Sequence, residues 1–146
     1  MTDAPPVVNQ INLVVRDMDT MLDFYRTLGF DIATATEPWA QHHRTVSTRD
    51  GLDFDLDSSG FTAQWNQGWP RDRTGPVIGF GFETRAAVDA TYERLVRAGY
   101  AGQQPPYDAF WGARYAVVVD PENNPVGLMS PIDPAYRSTP PTPPRT

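Results

Sequence analysis

The sequence predicts an α+β fold in which one βαβββ unit occurs twice. Two observations carry this. Strand-type alternation followed by a helical stripe appears near the start and again after residue 76. The two helix endings, Leu28-Gly29-Phe30 and Ala98-Gly99-Tyr100, lie 70 residues apart. One supersecondary unit repeated at that spacing points to an ancient duplication.

Ile11, Leu13 and Val15 alternate with Asn12, Val14 and Arg16, which reads as a strand. Met21, Phe24, Tyr25 and Leu28 recur at i, i+3, i+4 and i+7, one face of a helix. Asp17 or Asp19 can cap its start, and Gly29 ends it. Segments 30–34, 43–48 and 52–57 read as strands, with Arg49-Asp50-Gly51 as a tight turn. In the second half, 77–82 reads as a strand locally weakened by Gly79 and Gly81. Val88, Tyr92, Leu95 and Val96 form a helical stripe between a Thr84 cap and Gly99. Segments 115–119 and 126–129 are strands joined by the turn Asp120-Pro121-Glu122-Asn123-Asn124. The division is then a flexible lead-in (1–6), a first unit (7–60), an aromatic linker (61–75), a second unit (76–131) and a proline-rich tail (132–146). Proline without apolar periodicity predicts a disordered tail.

With 146 residues the chain is one compact domain or two small modules sharing a core. No cysteine is present, which excludes disulfides, thiolate metal sites and a cysteine nucleophile. A net charge of −6 disfavours nucleic acid or an anionic membrane as partner, because phosphate binding needs a basic patch. The same charge is compatible with a cationic ligand. No basic region followed by an apolar run opens the chain, and no apolar stretch is long enough to span a bilayer. The expected location is cytoplasmic. No Ser-His-Asp set, phosphate-binding loop or zinc-type spacing is evident.

Four groups of residues stand together: Ile11-Asn12-Leu13-Val14-Val15-Arg16-Asp17; Phe24-Tyr25 with Leu28-Gly29-Phe30; Trp111-Gly112-Ala113-Arg114; and Asp120 to Asn124 followed by Gly127-Leu128. In that order, over about residues 7–131, the chain resembles the glyoxalase/bleomycin-resistance/extradiol-dioxygenase family, the vicinal oxygen chelate superfamily. The resemblance implies two units that form cupped half-barrel sheets around a central cleft, with helices on the outer face. Metal-dependent members carry His or Gln in the first strand of each unit and Glu or His in the last. Those places fall on Gln10, Asp55, Val77 and Gly127. Valine and glycine offer no side-chain donor, and two oxygen ligands hold a divalent ion poorly. The expectation is therefore no metal and no cofactor. It is a small-molecule binding protein of the bleomycin-resistance-like type, a homodimer that sequesters an amphipathic, aromatic or cationic compound. The competing expectation is a glyoxalase- or dioxygenase-like lyase or isomerase, metal-dependent or using an Asp general base.

Alternation says what faces the cleft. If Gln10 does, so do Asn12 and Val14. If Asp55 does, so do Asp53 and Asp57, while Leu52, Phe54 and Leu56 face the helix. The three carboxylates form either an acidic wall for a cation or polyol, or a solvated edge. Close carboxylates in a cleft would raise one another's pKa. Small residues at Val77, Gly79 and Gly81 enlarge the cleft or let the sheet bend. Trp39, Trp65, Trp69, Phe110 and Trp111 fall outside the periodic core, where aromatics often line sites for flat ligands. Arg114 can clamp a ligand carboxylate or pair with an Asp. Tyr107 and Tyr115 are possible proton donors. His42 and His43 point to opposite faces, so at most one reaches the cleft, and a lone His reads as a polar surface residue. The expected ligand-binding set is Gln10, Asn12, Trp39, Asp53, Asp55, Trp65, Trp69, Phe110, Trp111 and Arg114, with no catalytic residue assigned.

Overall fold

A computed structural model describes residues 4–144. Residues 1–3 of the expected lead-in and 145–146 of the expected tail lie outside the described residues. The first half runs β1 (Val7–Val15), α1 (Met18–Leu28), β2 (His43–Arg49) and β3 (Leu52–Ser58). The helix α2 (Ser59–Trp65) leads to the second half: β4 (Gly75–Gly81), α3 (Arg85–Arg97), β5 (Ala101–Asp108), β6 (Arg114–Val119) and β7 (Pro125–Met129). All seven strands form one open mixed sheet in the order β2-β3-β1-β4-β7-β6-β5. β1 pairs in parallel with β3 and antiparallel with β4, and β4 pairs in parallel with β7. The first strands of the two units thus lie side by side at the centre, and each unit curls away from them.

The duplication is incomplete. Segment 30–34 forms no strand. The Arg26 side chain donates to the carbonyls of Ile32 (2.9 Å) and Ala33 (3.2 Å), and Arg44 also donates to Ala33. The carbonyls that a ladder would use are taken by arginines. Its counterpart β5 does form, across Pro105 and Pro106, because it is the last strand of the sheet and its outer side needs no donors. The expected linker is partly helical: Ser58 Oγ accepts from the Phe61 amide at 3.1 Å and starts α2, whose Phe61, Thr62 and Trp65 are buried.

The outer face of the sheet carries the two long helices. Asp17 caps α1 through the Thr20 amide, and Gly29 ends it at φ 128°, where a side chain would be strained. Its buried face is rotated from the expected one. Met18 and Leu22 pack on Val15, Val46 and Leu56, whereas Phe24 (59% exposed) and Leu28 (63%) point outward. Val88 of α3 packs on Ala116, Val118 and Leu128. Among the described residues no helix is long and apolar enough to cross a membrane.

The concave face holds a third cluster, in which Phe61, Trp65, Trp69, Tyr115 and Val117 pack on Val14 and Val77. Within the described residues the tail contacts the domain at a few points. The Asp133 amide donates to Gly112, the Ser138 amide to Phe110, and the Gln64 side chain to Thr142. The Arg85 guanidinium lies 3.7 Å from the Tyr136 ring centroid.

Candidate functional site

A cleft of about 310 Å³ opens on the concave face, within a single chain. One wall is the β1–β3–β2 sheet. The expected alternation holds there: Gln10, Asn12, Asp53, Asp55 and Asp57 all line the cleft, while Leu13, Phe54 and Leu56 pack under α1. The facing wall combines Phe61 and Trp65 of α2, Phe110 and Trp111 of the turn after β5, Tyr115 of β6 and Met129 of β7. Trp111 is held edge-on to Tyr115 (centroids 5.5 Å apart), and its Nε1 points at the Met129 sulfur at 3.4 Å.

The polar wall is a connected network. Gln10 Nε2 donates to Asp55 Oδ2 at 3.1 Å. Asn12 Nδ2 donates to Asp57 Oδ2 at 2.8 Å, and His43 Nδ1 meets Asp57 Oδ1 at 2.6 Å. Asp57 is 1% exposed, so its charge is removed from water and needs both partners. Burial of the His43 ring pushes its pKa down, but the hydrogen bond and charge of Asp57 outweigh this and leave it above the ordinary histidine value. Burial raises the Asp55 pKa above the usual carboxylate range, against the opposing pull of His43, Thr45 and Gln10. Crowding with Asp57 adds to the same direction, as expected for neighbouring carboxylates, but it is the lesser cause. On the opposite wall burial pushes the Tyr115 phenol well up, so it stays neutral and can donate.

Three of the ten expected binding residues lie away from the cleft. Trp39 packs behind the wall, edge-on to Phe61 at 4.9 Å. Trp69 belongs to the core, and its Nε1 donates to the Arg73 carbonyl at 3.0 Å. Arg114 pairs with Asp89 of α3 at 2.8 Å and with Asp108 at 3.1 Å, the second of its two expected roles. The other seven line the cleft. His43 and Tyr115 fall outside the expected set and belong to the site. His43 is the one histidine that reaches the cleft, in line with the limit of one set by strand alternation. Its neighbour His42 is buried against Ser58, with Nδ1 2.9 Å from Oγ. Tyr115 is legible in the sequence as a possible donor, with no neighbour there to support it.

The small residues do not enlarge the cleft. A Cβ on Gly79 would sit 3.1 Å from the Gln10 Cβ, and one on Gly127 would sit 2.9 Å from the Tyr115 hydroxyl. Both glycines let a neighbouring side chain lie across them. Val77 is fully buried in the core. The positions that would hold a metal in relatives therefore do not fit one here. Gln10 and Asp55 bond each other, Val77 has no donor, and the Tyr115 phenol fills the space beside Gly127. Among the described residues no group of three or more His, Cys, Asp or Glu side chains is placed to bind an ion.

Solved structures share this fold. A Mn(II)-bound glyoxalase from Novosphingobium aromaticivorans superposes with a TM-score of 0.58 at 15% identity, over 84% of this chain and 38% of that one. A glyoxalase/bleomycin resistance protein/dioxygenase superfamily member from Vibrio splendidus 12B01 gives 0.54 at 13% identity, over 87% and 100% of the two chains. A variant of methylmalonyl-CoA epimerase from Streptomyces coelicolor, in complex with 2-nitronate-propionyl-CoA, gives 0.50 at 21% identity, over 84% and 95%. No curated protein matches the sequence significantly. The family model of the Glyoxalase/Bleomycin resistance protein/Dioxygenase superfamily matches residues 7–128, and the chain belongs to that superfamily.

Proposed function

We propose that the protein binds a flat, partly polar small molecule in the cleft without a metal ion. The observation that carries this reading is the pairing of walls: a hydrogen-bonding surface from Gln10, Asn12, Asp53 and Asp55 faces aromatic rings from Phe61, Phe110 and Trp111. Ligand sites of about 300–1,000 Å³ typically join apolar walls to a few convergent polar groups, and this cleft lies at the small end of that range. Stacking is worth about 0.5–1.5 kcal/mol beyond area burial, and a charge-assisted hydrogen bond about 1.5–3 kcal/mol. A cationic ligand would depend more on Asp55 than on Trp111, and a neutral planar one would reverse that order. Sequestration of an antibiotic is one form this binding could take.

The test is a thermal-shift screen of neutral and cationic aromatic compounds, since a ligand of the native state raises stability by mass action. The best compound is then titrated calorimetrically against wild type, Asp55→Asn and Trp111→Ala. At least one variant is expected to weaken binding about fivefold or more, roughly 1 kcal/mol. If both stay within about twofold of wild type, the cleft is not the site.

A further inference from the structure

We propose that His43, backed by Asp57, is a general base that takes a proton from carbon in a ligand held in the cleft. The protein would then be a metal-independent catalyst acting on flat, conjugated carbonyl compounds with an acidic C–H. This rests on the reading of the cleft as a small-molecule site.

The geometry carries the assignment. The Asp57 carboxylate is sealed from water and spends one oxygen on Asn12 and the other on His43. A carboxylate only accepts, so the imidazole proton sits on Nδ1 and the lone pair on Nε2. Among the described residues only Nδ1 of this ring has a hydrogen-bond partner. The ring lines the cleft with its side chain 41% exposed, and the Phe61 ring meets it edge-on at 5.7 Å. A base oriented by a third group and open to the ligand is the arrangement that proton abstraction needs. Oxygen-stabilising groups face the same space. The Gln10 amide, which spends one N–H on Asp55 and keeps the other, and the Tyr115 phenol can each donate to a developing enolate. Aromatic walls suit a flat substrate.

The step balances without an oxidant. The substrate C–H bond breaks, its proton goes to His43 Nε2, and the electron pair delocalises onto the conjugated carbonyl oxygen. Asp57 stabilises the imidazolium. Return of that proton to another carbon of the conjugated system gives an isomer and restores the base.

The test uses 5-nitro-1,2-benzisoxazole, a flat aromatic probe. A base removes its C3 proton, the N–O bond breaks, and the coloured 2-cyano-4-nitrophenolate appears. Binding is read separately by quenching of tryptophan fluorescence. Wild type is expected to open the ring on the order of 10²-fold faster than an equal concentration of free imidazole, the usual scale of general-base catalysis. His43→Gln should lose that acceleration while still quenching. Imidazole added to His43→Ala should restore part of the rate. Asp57→Asn should lower kcat with little change in KM, as fits a positioning residue. Quenching without acceleration in wild type, or full acceleration in His43→Gln, overturns the proposal and leaves the binding reading standing. No quenching at millimolar probe overturns both. Melting curves of each variant confirm that the loss is not unfolding.

Discussion

Replacing Asp57 by alanine should be among the most damaging changes to the polar wall, and its size follows from what the carboxylate holds. Asn12 is buried, and its Nδ2 would lose its partner; an orphaned buried donor costs about 1–3 kcal/mol. His43 is half exposed and can turn to water, so its lost contact adds at most about 1 kcal/mol after screening. Removing a buried carboxylate also removes its desolvation penalty, which offsets part of the sum. The net expectation is about 2 kcal/mol, or a fall of about 4–8 °C in Tm for a chain of this size. Asp57→Asn keeps one acceptor for Asn12 and should cost about half as much. The assay is reversible thermal or urea unfolding of the three proteins. A Tm for Asp57→Ala within about 1 °C of wild type would refute the network as a stabilising unit. The same network predicts a pH effect. His43 titrates above its unfolded value because Asp57, with a smaller contribution from Asp55, outweighs its burial. Its contribution is therefore fully present below about pH 6.5 and is lost as pH rises through the folded pKa. The stability gap between wild type and His43→Ala should be wider at pH 5.5 than at pH 8.5.

Other outcomes follow from single contacts. Gly127→Ala would set a Cβ 2.9 Å from the Tyr115 hydroxyl and should cost about 1–3 kcal/mol; adding Tyr115→Phe should recover most of it in unfolding measurements. Tyr136→Ala removes the ring under Arg85 and should lower stability by about 0.5–1 kcal/mol by urea titration. Protein purified without chelator should carry no stoichiometric transition metal by elemental analysis, and chelation should leave its Tm unchanged, because Val77 and Gly127 supply no ligand. A homodimer is expected by light scattering, with twice the 16.3 kDa mass of one chain. The apolar side chains Val7, Val8 and Ile78 on the central strands stay exposed, and two-fold closure is the common way to cover such a face.

Strand alternation alone is enough to place Gln10, Asn12, Asp53, Asp55 and Asp57 on one face, because a period of two leaves only two choices and Phe54 and Leu56 must take the other. Capping chemistry places the ends of α1 and α3 for the same local reason. The matches and mismatches around the aromatics are not local. Trp39, Trp65, Trp69, Phe110 and Trp111 look alike in sequence, and only packing assigns Trp69 to the core and Trp111 to the wall. The histidines show the difference most clearly. An unbroken hairpin from the turn at Asp50-Gly51 would aim His42 into the cleft. A bulge skips Val46 in the ladder, between Thr45 opposite Asp55 and Ser47 opposite Phe54. One extra residue flips every side chain before it to the other face. Val46 drops into the core under α1, and His43 instead of His42 meets Asp57. The bulge answers to the need to bury Val46 against Leu22 and Leu56, contacts between different segments of the chain, so the residue that faces the cleft is decided by tertiary packing and not by the pattern of its own strand.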